Sequence, residues 1–113
     1  MELVQLERTP KTIAFEFKGI TGNCPIDNVK DTYDLGITVW PDRPYTIEVR
    51  SLKELLRNLL EVPIYCEDLA GAIVAGIAEL KAFRKTEVIV RQTGGENATI
   101  TVTDCAEFHG RLF

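Results

Sequence analysis

The chain has 113 residues, of which 45% are hydrophobic and 27% are charged, so we expect residues 1–113 to form a single globular domain with one core. Its 13 basic and 17 acidic residues give a net charge of −4, which argues against a monomer that binds nucleic acid through a broad basic face. No apolar run reaches the roughly 18 residues that a transmembrane helix needs, and the N-terminus has no signal-peptide pattern. We therefore expect a cytoplasmic protein without membrane contacts.

The first part of the chain predicts two paired strands. Residues 1–10 have no clear period and are expected to form a loose lead-in. Residues 12–18 alternate apolar and polar side chains, as half-buried strands do, and residues 33–40 alternate in the same way. Residues 19–31 between them are expected to form a loop. That loop is longer than a plain hairpin requires, and long loops in compact domains are often functional.

The middle of the chain predicts two helices after a turn and a short extended piece at residues 45–49. Ser51 and Glu54 have the spacing of a capping box, so a helix is predicted to begin at Ser51 and to run to about Leu60. A second helix is predicted from about residue 67 to residue 83, because apolar residues recur there at helical spacing.

The end of the chain predicts a hairpin, with strands at residues 86–91 and 98–102 joined by a turn at residues 93–97. The predicted order is therefore ββααββ. We expect an α+β domain in which two helices cover one face of an antiparallel sheet. An open sheet leaves two edges unpaired, so a homo-oligomer formed by sheet extension is expected.

Cys24 is the residue that most suggests chemistry. It stands between Asn23 and Pro25 in a segment too polar for a core, and Asp31 follows seven residues later. A thiol held by a proline near a proton carrier is the arrangement that a nucleophile needs. The alternative is a structural cysteine, because most free cysteines behave as small buried hydrophobes.

The cysteines as a set do not predict a disulfide framework. Cys24, Cys66 and Cys105 are odd in number and widely spaced, which favours a reducing compartment. Zinc could in principle use the three thiols with His109, the only histidine. No C-x-x-C pair or other metal-ligand spacing supports such a site, so no metal is expected.

Three features together resemble one enzyme family. They are Cys24-Pro25 with Asp31 seven residues after the cysteine, the ββααββ order, and Cys66-Glu67-Asp68 at the start of the second helix. Together they resemble the QueF family of tunnelling-fold enzymes and the short QueF-like relatives that make archaeosine. The resemblance covers residues 17–70, about half of the chain. It implies the tunnelling fold (T-fold), an oligomeric barrel of stacked subunit rings, and sites at subunit boundaries.

The resemblance also implies a substrate and a role for each site residue. The substrate is 7-cyano-7-deazaguanine, whose nitrile carbon would receive the Cys24 thiolate and form a covalent thioimide. Asp31, partly desolvated, would protonate the nitrile nitrogen as a general acid. Glu67 would accept hydrogen bonds from the N–H groups of the base, although a carboxylate at a helix N-terminus is also common without any ligand. Cys66 replaces the histidine of the family and is grouped with Glu67 as substrate-binding.

A further match concerns a cofactor. The stretch that contains Glu48, Arg50, Ser51 and Lys53 is similar to a Glu-x-Lys-Ser-x-Lys stretch associated with NADPH in the nicotinamide-dependent members. The two cations could neutralise a phosphate, whereas the alternative is that Ser51 serves to cap a helix. The Pro-Arg-Gly-Gly segment of the reductases is absent.

Two enzymes and one binding protein remain as predictions. Reduction of the thioimide by NADPH would give 7-aminomethyl-7-deazaguanine for queuosine biosynthesis, and the NADPH-like stretch and the acidic charge favour this oxidoreductase slightly. Attack by ammonia would instead make the protein an amidinotransferase that forms archaeosine in tRNA without a cofactor. The short chain and the absence of the Pro-Arg-Gly-Gly segment favour this enzyme. A tunnelling-fold binding protein without catalysis is the third possibility, against which the presence of both Cys24 and Asp31 argues.

Overall fold

The computed structural model describes residues 1–26, 30–94 and 98–108. Its elements in chain order are β1 (Leu3–Gln5), β2 (Ile13–Asn23), β3 (Lys30–Pro41), β4 (Tyr45–Ile47), α1 (Val49–Leu59), α2 (Cys66–Ala78), β5 (Phe83–Gly94) and β6 (Ala98–Glu107). The four long strands form one antiparallel sheet in the order β2-β3-β5-β6. The predicted α+β architecture is confirmed.

A second, two-stranded sheet joins β1 to β4, so the expectation of a loose lead-in at residues 1–10 is wrong. Leu3 pairs with Ile47 and Gln5 pairs with Tyr45 in antiparallel register. The N–H of Glu48 also donates to the carbonyl oxygen of Glu2. The reason is that the backbone groups of β4 need partners, and the first residues supply them. Half-buried Leu3 then packs against the core.

The core lies between one face of the large sheet and the two helices. Alternate residues of β3 and β5 are fully buried on this face, as the period of two requires. Helix α2 packs against β5 and β6, and α1 lies beside α2. The largest fully buried side chains are those of Tyr33, Ile37, Val39, Ile47, Leu52, Leu69, Ile73, Ile77, Val88 and Val90.

Helix α1 begins two residues earlier than predicted, because Glu48 is its N-cap. The Glu48 carboxylate accepts the backbone N–H of Ser51 at 2.6 Å, and the Ser51 hydroxyl donates to the Glu48 carbonyl at 2.7 Å. The first of these bonds satisfies a backbone N–H that the first helical turn leaves unpaired. The predicted capping box with Ser51 as N-cap is therefore wrong. The hydrogen bond from the Ser51 N–H, with that from Arg50, lowers the pKa of Glu48.

The second helix is shorter than predicted. It begins at Cys66 and ends at Ala78 instead of residue 83, because Lys81 adopts a left-handed backbone conformation with φ 53°. Phe83 instead begins β5 and is buried in the core. Strands β5 and β6 extend beyond the predicted limits, and residues 95–97 of the predicted turn lie outside the described residues.

Strand β2 is also longer than predicted, which corrects the limits of the loop that contains Cys24. The pairing of β2 with β3 continues through Gly22 opposite Asp31 and Asn23 opposite Lys30. The expectation that the loop begins at residue 19 is therefore wrong, since the strand ends directly before Cys24. Residues 27–29 of this loop lie outside the described residues.

None of the helices in the described part of the chain is long and apolar enough to cross a membrane.

Gly22 provides a test of this packing. A Cβ atom at Gly22 would lie 3.0 Å from Cε2 of the fully buried Tyr33 ring and 2.8 Å from Cδ2 of Leu60, whereas a Cβ at Gly36 of β3 would meet no atom within 4 Å. We expect Gly22→Ala to lower the free energy of unfolding by about 1–3 kcal/mol through overpacking. The matched variant Gly36→Ala should leave it unchanged or raise it slightly. Equal effects in urea unfolding would contradict this packing.

Candidate active site

Cys24 and Asp31 lie at the same end of the β2–β3 hairpin, where Gly22, two residues before Cys24, pairs with Asp31. Cys24 directly follows β2 and is half-buried, and Asp31 is the second residue of β3. Asp31 is only 8% exposed, although it is a charged residue type at the end of a strand. The Asp31 side chain is therefore largely removed from solvent, and its role as a proton donor stays a prediction.

The buried Tyr33 side chain interacts electrostatically with three of the predicted site residues, and sequence reasoning missed it. The side chain is fully buried, and its hydroxyl donates to the carbonyl oxygen of Ile64 at 3.5 Å. Burial, together with the nearby ionisable groups of Asp31, Cys66 and Cys24 in that order, raises the pKa of Tyr33 to about 12. The phenol is therefore a neutral group that all three predicted residues approach. The signal was present in the sequence, because Tyr33 shares a strand face with Asp31.

Cys66 acts as a hydrogen-bond donor to Glu67. Its Sγ atom lies 2.6 Å from Oε1 of Glu67, and α2 begins with these two residues. Burial, together with this hydrogen bond and the charge of the carboxylate, raises the pKa of Cys66 to about 12. The group is therefore a neutral thiol near physiological pH, and it holds the Glu67 carboxylate in one position. The thiol thus supplies a hydrogen-bond donor at the position where the QueF family, which this sequence resembles, has histidine.

The segment before α2 is attached to both strands of the hairpin. The N–H of Ile64 donates to the carbonyl oxygen of Asn23 at 3.4 Å, while its own carbonyl accepts the Tyr33 hydroxyl. Through these contacts the structure brings Cys24, Asp31 and Cys66 together. Glu67 is joined to this group by Cys66.

The NADPH-like stretch does not converge on one site in the described part of this subunit. Glu48 and Ser51 are engaged in the cap of α1, and the Nε of Arg50 lies 3.3 Å from Oε1 of Glu48. Lys53 faces an open groove of about 950 Å³ between β2 and α1, whereas Ser51 faces a different groove beside α2. NADPH binding by these four residues stays a prediction.

The zinc alternative receives no support from the residues that the structure describes. In those residues, no three His, Cys, Asp or Glu side chains lie close enough together to hold a metal ion. Cys105 is exposed on β6, at the far edge of the sheet from β2. His109 lies outside the described residues, so its part in such a site stays untested.

Comparisons with known proteins found similarity at the level of structure. No protein-family model and no curated protein sequence matches the chain. Among solved structures, the chain is similar to the apo form of the archaeosine synthase QueF-Like, with a TM-score of 0.73 and 18% identity over 92% of this chain and 99% of that one. The chain has the tunnelling fold. A dihydroneopterin aldolase from Burkholderia thailendensis, bound to guanine, is also similar, with a TM-score of 0.59 and 12% identity over 90% and 96% of the two chains.

The tunnelling fold confirms the architecture that the sequence resemblance implied. At these identities the likeness concerns the fold, so the roles of Cys24, Asp31 and Glu67 rest on their own geometry. In the described chain, β2 and β6 each pair with one strand and form the edges of the sheet. The expected homo-oligomer, which would cover these edges, stays a prediction.

The thiol environments can be tested by alkylation. With a pKa of about 12, roughly one Cys66 side chain in ten thousand is ionised at about pH 8. We expect iodoacetamide to modify Cys24 and Cys105 in the folded protein and to spare the buried Cys66, as peptide mapping by mass spectrometry would measure. All three should react in urea. Modification of Cys66 as fast as Cys105 in the folded protein would contradict the structure.

The raised pKa values also predict alkaline destabilisation. Cys66 ionises near pH 9.0 when unfolded and near 12 when folded, and Tyr33 near 10.0 and 12. The unfolded chain therefore loses protons first, so the stabilisation is complete below about pH 9 and is lost as the pH rises towards 12. We expect the free energy of unfolding, measured by urea titration, to fall over this range. Tyr33→Phe should weaken the fall above about pH 10, and an unchanged slope in this variant would refute the contribution of Tyr33.

Proposed function

We propose that the chain is an enzyme of 7-deazaguanine metabolism that adds ammonia to the nitrile of 7-cyano-7-deazaguanine through a thioimide on Cys24. The observation that carries this proposal is the convergence of Cys24, Asp31 and Cys66 around the Tyr33 hydroxyl, with Glu67 held by Cys66. The group combines a nucleophile, a proton donor and an acceptor for the substrate. These are the parts that nitrile addition requires.

The chemistry follows from this arrangement. The Cys24 thiolate attacks the nitrile carbon, one C–N π bond breaks, and the nitrogen receives its electron pair and a proton from Asp31. Ammonia then adds to the thioimide carbon and loses a proton to the Asp31 carboxylate, and the C–S bond breaks to return the Cys24 thiolate and release the amidine. The buried position of Asp31 limits the access of bulk water to its carboxyl group.

Glu67 would recognise the base. A carboxylate can accept two hydrogen bonds from the N–H groups on the edge of a guanine-like ring, and the Cys66 thiol orients it for this role. The similar aldolase structure contains guanine, which supports a purine-like ligand in this fold. By the same proposal, homo-oligomers complete each site at a subunit boundary.

Amidine formation is favoured over the reduction that the sequence slightly favoured. The helix cap accounts for Glu48 and Ser51 without a cofactor, and the similar archaeosine synthase matches this chain over nearly the whole of both lengths. The substrate would then be a nitrile base in tRNA, and no cofactor would be needed. Reduction by NADPH is the second candidate, because Arg50 is 93% exposed and Lys53 lines an open groove.

The first experiment measures the intact mass of the protein after incubation with 7-cyano-7-deazaguanine, as free base and in tRNA. We expect a covalent adduct that Cys24→Ala abolishes and Cys105→Ala retains. Ammonium should then release an amidine, whereas release of an amine with NADPH would assign the reductase. If neither form of the substrate gives an adduct while Cys24 stays reduced, the protein is a binding protein.

The general acid is tested in the same assay. Asp31→Asn removes the proton that the nitrile nitrogen takes, so we expect the adduct to form roughly 10²–10⁴-fold more slowly. Asp42→Asn, at an exposed turn, is the matched control and should leave the rate unchanged. Equal rates for both variants would remove Asp31 from the mechanism.

A further inference from the structure

We propose that a β-bulge formed by Lys18 and Gly19 of β2 opposite Asp34 of β3 turns Cys24 to the sheet face that carries Asp31. This Gly19 bulge, with its hydrogen bond to Asp34, makes Gly19 and Asp34 positioning residues for the nucleophile. Neither residue is part of the group around Tyr33. The proposal rests on the proposed function of Cys24.

The strand register shows that the bulge changes the phase of β2. Before it, Phe17 pairs with Leu35, and after it, Ile20 pairs with Tyr33. Two residues of β2 therefore stand opposite Asp34 alone. Directly opposed residues of an antiparallel pair point to the same face. The core face of β2 thus changes from odd-numbered residues to even-numbered ones.

The face of the sheet to which Cys24 points depends on this change of phase. Gly22 is buried and faces the core opposite Asp31. Extending this alternation by one residue beyond the end of β2 puts Cys24 on the same face, and Cys24 also acts electrostatically on the buried Tyr33. If the bulge did not accommodate the extra residue of β2, the odd-numbered residues would continue to face the core. Thr21 and Asn23 would then face the core, and Cys24 would point away from Asp31 and Tyr33.

Two features hold the bulge. Gly19 has φ 69°, a left-handed conformation that glycine adopts without strain. Its N–H donates to Oδ1 of Asp34 at 3.0 Å, so a backbone donor at the bulge is satisfied by a side chain. Asp34 is exposed, because it occupies the face of β3 opposite to Asp31 and Tyr33. Its carboxylate therefore acts on Cys24 through the backbone of β2.

The test uses two matched pairs of variants. Gly19→Val places a β-branched residue where φ is positive, whereas Gly19→Asn keeps a residue that tolerates this conformation. Asp34→Ala removes the acceptor of the Gly19 N–H, whereas Asp34→Asn keeps an oxygen that can accept it. Two rates are measured for each variant: adduct formation with 7-cyano-7-deazaguanine in the form that labels the wild type, and iodoacetamide labelling of each cysteine.

We expect Gly19→Val and Asp34→Ala to slow adduct formation at least about tenfold, because the nucleophile is displaced from its proton donor. Their Cys24 should react faster with iodoacetamide, since it leaves its half-buried position, while Cys66 stays protected. Opposite changes in the two rates are not expected from simple loss of stability, which would expose Cys66 as well. Both conservative variants should remain within about threefold of the wild type in both rates.

Deletion of one residue of β2 tests whether the change of strand phase positions Cys24. Removing Lys18 from the Gly19→Val chain leaves no residue to bulge, so plain alternation returns Cys24 to the core face. We expect adduct formation to recover to within about tenfold of the wild type. Wild-type rates in both Gly19→Val and Asp34→Ala, or no recovery on deletion of Lys18, would overturn the proposal.

Failure of the proposed function is distinguishable from failure of this inference. If the wild type forms no adduct, the nitrile chemistry fails, and iodoacetamide labelling alone decides the role of the bulge. Faster Cys24 labelling in Gly19→Val and Asp34→Ala, with Cys66 protected and the conservative variants unchanged, would then support the positioning role. Unchanged Cys24 labelling in all four variants would refute it.

Discussion

The arrangement of the candidate site depends on the buried phenol of Tyr33. Its ring fills the space under Gly22, and its hydroxyl reaches the carbonyl of Ile64 in the segment that leads into α2. A polar group in a core must find a partner, and this one finds it on a different element of the fold. Together with the hydrogen bond from the Ile64 N–H to the Asn23 carbonyl, this side chain of β3 links the hairpin that precedes Cys24 to the segment that precedes Cys66. A phenylalanine would fill the same volume but would lack this link.

The electrostatics of the site follow from the same burial. Tyr33 and Cys66 are weak acids in an environment that disfavours their ionised forms, so both remain neutral hydrogen-bond donors around physiological pH. The Cys66 thiol thereby leaves Glu67 with one oxygen engaged and the other available to a ligand. A thiol here differs from the imidazole of the QueF family, because it cannot become a cation.

Sequence patterns predicted the large elements of the fold well and their ends poorly. Alternation in β3 and β5 and the helical spacing of leucines and isoleucines are local signals that the core imposes, and each was confirmed. The pairing of β1 with β4 was missed because three-residue strands have no measurable period. The start of α1 was misplaced because both Glu48 and Ser51 are possible N-caps in the sequence. The end of β2 was misplaced because its pairing with β3 continues beyond a bulge that no local sequence pattern predicts. Tyr33 was predicted only as a residue of a half-buried strand, because its hydrogen bond to Ile64 joins two segments that are distant in the chain.

The sequence by itself determined the strand and helix order, the Cys24 and Asp31 pair, and the carboxylate at the start of α2. These are properties of residue type and spacing, which local physics is sufficient to interpret. Only the tertiary structure decided which groups face one another. The register of β2 on β3 places Gly22, two residues before Cys24, opposite Asp31. The hydrogen bond from Tyr33 to Ile64 holds the segment that leads to Cys66 and Glu67 beside the same strand. Both are contacts between segments that are distant in the sequence. A local sequence pattern does not predict which residues of a strand face the core after a bulge.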